Sequence, residues 1–267
     1  MKEVKFSFPE RIILYIDGKV DLDFEKLRRF LRIQTKRTVL LKKIKYGKKD
    51  ISVLAKRFAR LRIKELTQKK SFVPLRQELE FEKNTLLKNA NPSGAVYEGV
   101  KLCAVYADIL KIHNLKDLHV VVTKRCIATF DEDYRYHLRA ILCAHPAVIS
   151  TTGIIEAPAK PRPYYLLKQQ LMLLGRWDSE YPRVKKHFRR QFIDYQDKRI
   201  NGAIKGYFLQ VLFYHTTGAA FCRNKSCRLF NAHWQKDLIY SQLKAGRLCK
   251  KHKKMLKDMR SGSKNKR

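Results

Sequence analysis

Acidic residues are scarce: 24 Asp and Glu face 59 Lys and Arg in the 267-residue chain, leaving a formal net charge of +35. A heat-adapted surface of ion-pair networks would enrich both signs together, so the shortage excludes that explanation of the basic residues. Long apolar runs are missing too. None approaches the roughly 18 residues that a membrane-spanning helix needs, and the opening MKEVKFSFPE has neither an apolar signal core nor a small-residue cleavage site. The expected location is cytoplasmic, with no membrane partner. The 11 glycines are isolated, which leaves no phosphate-cradling cofactor loop and no identifiable small-molecule substrate. Of the six cysteines, Cys103, Cys126 and Cys143 fall inside apolar runs, where a free thiol behaves as a small hydrophobe. With 45% hydrophobic residues the chain can build a core without disulfides.

What the sequence does have is a strong positive field, which recruits phosphate backbones and releases their counterions. An anionic membrane surface would satisfy the same charge. Several basic runs carry interleaved aromatics: KLRRFLRIQTKR (26–37), LLKKIKYGKK (40–49), RVKKHFRRQFIDYQDKR (183–199) and the tail from Arg247. Phosphate contacts need cations on long flexible stems, and exposed Tyr or Phe could stack on unpaired bases. The candidate RNA-contacting residues are Arg28, Arg29, Lys36, Arg37, Lys42, Lys43, Lys45, Lys185, Lys186, Arg189, Arg190, Lys250, Lys251, Lys253 and Lys254. Taken singly, each run also reads as a solvated helix face with its aromatics turned to the core. Together they imply contact over a large area, which fits a protein lodged on folded RNA such as a ribosomal particle. No helix-turn-helix, RNA-recognition-motif or KH signature argues for a sequence-specific reader.

The pattern along the chain alternates strand and helix at first. RIILYID (11–17) predicts a strand, DLDFEKLRRFL a helix, RTVLLKKIK (37–45) a second strand, and DISVLAKRFARLRIKEL (50–66) an amphipathic helix capped by Asp50. LHVVVTKRC (118–126) is apolar enough for a strand buried on both faces, with RAILCAH (139–145) and AVIST (147–151) pairing near it around Pro146. EAPAKPRP (156–163) reads as a loop, YYLLKQQLMLLG (164–175) as a helix, and KRINGAIKGYFLQVLFYHTTG (198–218) as a long buried helix stopped at Gly218. Asp131, Glu132 and Asp133 form the one dense acidic patch and suit a helix start or a turn; Glu156 in the proline-rich loop has no evident role.

The remaining three cysteines cluster late. Cys222 and Cys227 lie five apart in FCRNKSC, and Cys249 and His252 three apart in LCKKH. Two chelating pairs about twenty residues apart are the sequence form of a tetrahedral zinc site. Four protein ligands close the coordination sphere, so the single Zn²⁺ expected here is structural and ties the C-terminal arm to the core. His233 could stand in for His252.

VLFYHTTGAAFC (211–222), just before this segment, resembles the archaemetzincin form of the zincin active-site helix. That pattern is His-Glu-x-x-His-x-x-Gly-x-x-His-Cys, followed by a second, cysteine-rich zinc site. Registered on Cys222, His215 and Gly218 match, while Val211, Leu212 and Phe221 stand where the first histidine, the glutamate and the third histidine belong. More broadly, HVVVTKRC, AVISTTGIIEAPAKPRPYYLLKQQ and FCRNKSCRLFNAHWQ resemble an archaeal metallopeptidase family grouped with the zincins, over about residues 95 to 255. The resemblance implies an α/β (α+β) fold with a zincin-like mixed sheet, a long central helix and a zinc-bound C-terminal segment.

A zincin needs two imidazoles one helical turn apart for its metal and a carboxylate to take a proton from the bound water. Valine and leucine supply neither. No catalytic residue is therefore assigned; His215 is a residual active-site position, read as a buried, hydrogen-bonded histidine. The expected organisation is a basic α/β region at 1–90, either a separate domain or part of the main sheet, a metallopeptidase-like core at 91–221, a zinc segment at 222–257 and a disordered tail at 258–267. The leading expectation is a noncatalytic, ribosome-associated RNA-binding protein on this scaffold. The alternatives are a divergent zinc peptidase using His215 and an RNA-processing enzyme with a structural zinc.

Overall fold

Three strands are apolar at every interior position but one, the buried His119, and each feeds two cores at once. In β1 (Arg11–Asp17), Ile12 and Leu14 point to one side of the sheet while Ile13 and Tyr15 point to the other. In β4 (Leu118–Thr123) the division is Leu118, Val120 and Val122 against Val121, and in β8 (Ala147–Ser150) it is Ala147 and Ile149 against Val148. Strands buried on both faces belong at the centre of a parallel sheet covered by helices. The computed structural model, which describes residues 7–88 and 92–262, places them there, in the order β2-β1-β4-β8-β7 with β2 (Thr38–Lys43) at one end and β7 (Ile141–Leu142) at the other. All neighbours run parallel except β7, which pairs antiparallel with β8, Ile141 opposite Ile149. The sheet therefore includes both strands of the N-terminal region. A second sheet holds β3 (Val96–Glu98), β5 (Cys126–Phe130) and β6 (Tyr136–Arg139).

On one face lie α1 (Phe24–Thr35), α8 (Ile200–Thr217) and α10 (Lys250–Arg260), joined to the sheet through Leu27, Leu31, Phe208, Leu212 and Leu256. The other face is covered by α2 (Ile51–Arg60), α3 (Arg76–Lys88) and α4 (Gly99–Leu110), which contribute Phe58, Leu86, Leu102 and Tyr106. Helix α5 (Thr151–Glu156) follows β8 directly, with the Ser150 hydroxyl accepting from the Gly153 amide at 2.8 Å as its cap. Helices α6 (Arg162–Leu173) and α7 (Trp177–His187) enclose a small satellite core of Tyr164, Val184, Phe188 and Phe192. A short α9 (Gln235–Ile239) runs into a π-helical turn at Tyr240–Ala245. No helix among the described residues is long and apolar enough to cross a membrane.

Several sequence expectations are corrected. The strand read at 118–126 breaks at Lys124 because Arg125 turns inward: the residue is 1% exposed and its guanidinium bonds Glu82 at 2.8 Å, with Asp17 3.6 Å from Nε. Asp17 also accepts from Tyr46 (2.6 Å), Thr123 (2.8 Å) and Tyr106. The helix read at 50–66 ends at Arg60, and Asp50 makes no side-chain cap. Helix α7 forms across Pro182, whose lost amide bond is offset by burying Val184 and Phe188. The tail expected to be disordered from 258 is helical to Arg260, held by Met255 and Met259 against the core; residues 263–267 lie outside the described residues.

Helix α8 is apolar almost all round, as a helix buried between sheet and neighbours must be. It stops where expected, Gly218 taking the left-handed conformation at φ 74°. Within it Gly206 is required by packing: a Cβ there would lie 1.7 Å from Gln242 Oε1.

Candidate metal centre and cleft

After α8 the chain makes a tight knuckle. The Cys227 amide donates to Asn224 O at 3.0 Å, and the Cys222 amide to Leu229 O at 2.8 Å, which turns both thiols inward. Sulfur also receives backbone bonds, from Asn224 N to Cys222 Sγ and from Cys249 N to Cys227 Sγ, each at 3.4 Å. Such N–H donors stabilise thiolate. Cys249 is the N-cap of α10 and His252 sits in its first turn, so the second pair is delivered on a helix N-terminus that favours negative charge.

Cys222, Cys227, Cys249 and His252 converge: their ligand atoms all lie within 4.8 Å of one another. His252 Nδ1 is 3.1 Å from Cys249 Sγ and 3.8 Å from Cys227 Sγ. A tetrahedral site with Zn–S near ~2.3 Å sets its ligand atoms about 3.5–4 Å apart, so the four fit a metal ion with little movement. Three sulfurs and one imidazole form a soft donor set that suits Zn²⁺. Burial pushes the Cys227 thiol up to about 12, whereas at Cys249 the effect of burial is outweighed by the His252 amide and the neighbouring thiols, which hold it below its ordinary value. A bound cation removes both protons. His233 is exposed and outside the set.

The positions matching the peptidase helix are separated by the fold. Val211 and Leu212 are each 1% exposed, in the core beneath the sheet. Phe221, 48% exposed, lines a cleft of about 550 Å³ between α8 and the β6–β7 segment. His215 is half-buried, and burial followed by the nearby His145 lowers its pKa; its imidazole makes no hydrogen bond among the described residues, unlike the expected bonded histidine. Tyr207, Gln210 and Tyr214 face the cleft from α8, with Arg139, Ala140 and Ile141 opposite. Sequence reasoning missed this lining. No local pattern marks it, because Tyr207, Gln210 and Tyr214 lie in an otherwise apolar helix whose glycines at 202 and 206 pack against Leu243 and Gln242 instead. Asp131 sits in the turn between β5 and β6, paired with Arg139, and Glu156 pairs with the buried Lys160 at 3.1 Å.

The basic runs are distributed unevenly. Helix α10, carrying exposed Lys250, Lys251, Lys253 and Lys254, packs against α1, which carries Arg28, Arg29 and, at its end, Lys36 and Arg37. Lys42, Lys43 and Lys45 project from the edge strand β2 and the residues after it. Lys185 and Lys186 on α7, with Arg189 and Arg190 after it, are exposed on the separate unit built around the satellite core, and Lys185 is paired to Asp194 at 3.0 Å. Arg28 pairs with Glu25 at 2.6 Å. Phe188 and Phe192, 4% and 3% exposed, turn to the core, as each run read singly allowed, so neither is free to stack on a base, and Phe30 is covered by Lys205 and Arg228.

Residues 8–259 match the model of a family described as "Probable metallopeptidase family (DUF6775)". No curated protein matches the chain. Among solved structures, archaemetzincin from Methanopyrus kandleri is 11% identical with a TM-score of 0.46, covering 96% of this chain and 98% of that one. A zinc-dependent peptidase from Methanocorpusculum labreanum is 13% identical with a TM-score of 0.46, covering 92% and 99%.

Proposed function

The chain belongs to this metallopeptidase family, whose model spans residues 8–259, and from that premise we propose that it holds an extended polypeptide without cutting it. The observation that carries this is the cleft beside β7. That strand ends the sheet, its Ile141 and Leu142 line the cleft with Tyr214, and the cleft's volume of about 550 Å³ leaves room for a short extended segment laid along it. An extended chain added to a sheet edge gains main-chain hydrogen bonds and places alternate side chains in pockets. Hydrolysis would need a metal-activated water and a base, and Val211, Leu212 and Phe221 supply no ligand or base. The Cys222, Cys227, Cys249 and His252 set holds one Zn²⁺ in a structural role, since four protein ligands leave it no open position.

The test uses a fluorescently labelled unfolded polypeptide and the zinc-loaded protein, following cleavage and anisotropy together. Saturable binding without cleavage, abolished by Ala219→Trp in the cleft, is expected. Zinc-dependent cleavage would restore the divergent-peptidase reading; no binding would remove the polypeptide.

A second reading is supported by a separate face. Arg29, Arg32, Lys36 and Arg37 on and just after α1, and Lys250, Lys251, Lys253, Lys254 and Lys257 on α10, make no ion pair among the described residues. That surplus favours RNA, in a ribosomal particle, as a partner of the same scaffold. Co-sedimentation with ribosomal subunits at low salt tests it; a protein that stays at the top of the gradient contradicts it.

A further inference from the structure

Two cations share one aromatic ring where α1, α8 and the metal-binding segment meet. Lys205 Nζ stands 5.2 Å from the centroid of Phe30, and Arg228 Cζ 5.4 Å from it. Neither cation forms an ion pair among the described residues. The carboxylate that acts on Lys205, Asp23, is already engaged by Lys26 at 2.9 Å and caps α1. Arg228 Nε and Nη1 are buried with no hydrogen-bond partner, while Nη2 and Lys205 Nζ keep contact with solvent and donate no bond within the protein. Burial, then repulsion by Arg228 and Lys26, lowers the Lys205 pKa.

A packed fold has little reason to crowd two half-buried cations without a counter-charge. The attraction of each to a ring face helps, yet it is a small return for desolvating a guanidinium and leaving two of its nitrogens unpaired. The plain alternative is stem packing, in which Arg228 and Lys205 cover Phe30 with their methylenes and their heads are incidental. On that account removing the charges costs packing. If the heads are held for an oxyanion, removing them relieves repulsion.

We propose that Lys205 and Arg228, seated on Phe30, are the inner phosphate contact of an RNA-binding face formed by α1, α8 and α10. This rests on the RNA reading above and deepens it by naming the site. The surrounding cations are of the right kind: Arg29 and Lys26 lie on the same helix as Phe30, and α10, whose outer face carries five lysines, packs against that helix. A backbone phosphate can accept from Arg228 Nη2 and Lys205 Nζ, with neighbouring phosphates following the outer cations. Arg228 directly follows the metal-ligand position Cys227, so the same segment that carries the thiols sets the guanidinium in place.

The test compares the zinc-loaded full chain with K205Q/R228Q and, as a control, K185Q/K186Q. Each binds a short labelled RNA hairpin, read by anisotropy from ~50 to ~200 mM salt. We expect K205Q/R228Q to bind about tenfold more weakly at the higher salt, with the log–log salt slope shallower by about two, as for two lost phosphate contacts. Its Tm should equal or exceed that of the wild type, and the control should bind within about twofold. Should the double variant lose its cooperative melt, the stem-packing account stands and the proposal fails, unless Lys205→Gln alone melts normally and shows the weaker binding. Wild-type affinity and slope in a folded K205Q/R228Q protein would overturn this site and leave the RNA reading intact. No RNA binding by the wild type, or binding only to phosphatidylserine vesicles, would overturn both.

Discussion

The His252 imidazole stands edge-on to the Phe213 ring, with 5.3 Å between centroids. One partner is a candidate metal ligand in the first turn of α10; the other is 1% exposed on the central helix α8. The contact makes the metal centre part of the core, and the predictions for it follow from that coupling.

Cys227 is fully buried and supplies one of the four donors. Cys227→Ala should abolish zinc binding and cost about 4 kcal/mol at free zinc ~1,000-fold above Kd, a Tm drop of about 8–16 °C. Chelation should lower the wild-type Tm by a similar amount and leave that of the variant unmoved.

Acid should weaken the fold before ordinary carboxylate titration begins. His119 is 6% exposed, its Nδ1 is 3.1 Å from the Tyr15 hydroxyl, and burial followed by His145 lowers its pKa to about 4. The pKa of His145 is also lowered by burial. Because the unfolded chain binds these protons more readily, stability is complete above pH ~6.5 and falls as the pH drops toward 4, by up to about 3 kcal/mol for His119 alone. Urea melts across this range should show the loss, and His119→Gln should flatten it.

Gly206→Ala places a methyl group against Gln242, which cannot swing away: Gln242 is 2% exposed and its amide donates to Arg228 O at 2.9 Å. A loss of about 1–3 kcal/mol is expected in a thermal melt, as for overpacking. A variant as stable as the wild type would contradict the packing of the π-helical turn on α8.

Arg125 is the counter-ion of two buried carboxylates, Glu82 and Asp17. Arg125→Met strands both and should cost about 3–5 kcal/mol by denaturant unfolding. Glu82→Gln combined with Arg125→Met should recover part of that loss.

The elements with one dominant pattern were legible in the sequence. β1 and α8 are continuous apolar runs with clear stops, and the spacing of Cys222, Cys227, Cys249 and His252 pointed to the four side chains that the fold brings together. Arg125 was not legible, because a lone arginine after an apolar strand gives no sign that Glu82 and Asp17 wait beneath it. Helix α7 was hidden by Pro182, whose local penalty is overruled by burying Val184 and Phe188. The basic runs left the facing of their aromatics open: period alone does not say whether Phe188 or Phe192 faces solvent, and the fold turns both inward, as each run read singly allowed. The cleft depends on β7 meeting α8 across some seventy positions of sequence, a juxtaposition that no local pattern encodes.

The most direct test of the central claim, a metallopeptidase scaffold with one structural metal and no catalytic one, is metal content by native mass spectrometry of the protein purified without added metal. The account predicts one zinc per chain, lost in Cys227→Ala and retained in His215→Ala. Two zinc ions per chain, one of them lost in His215→Ala, would contradict it.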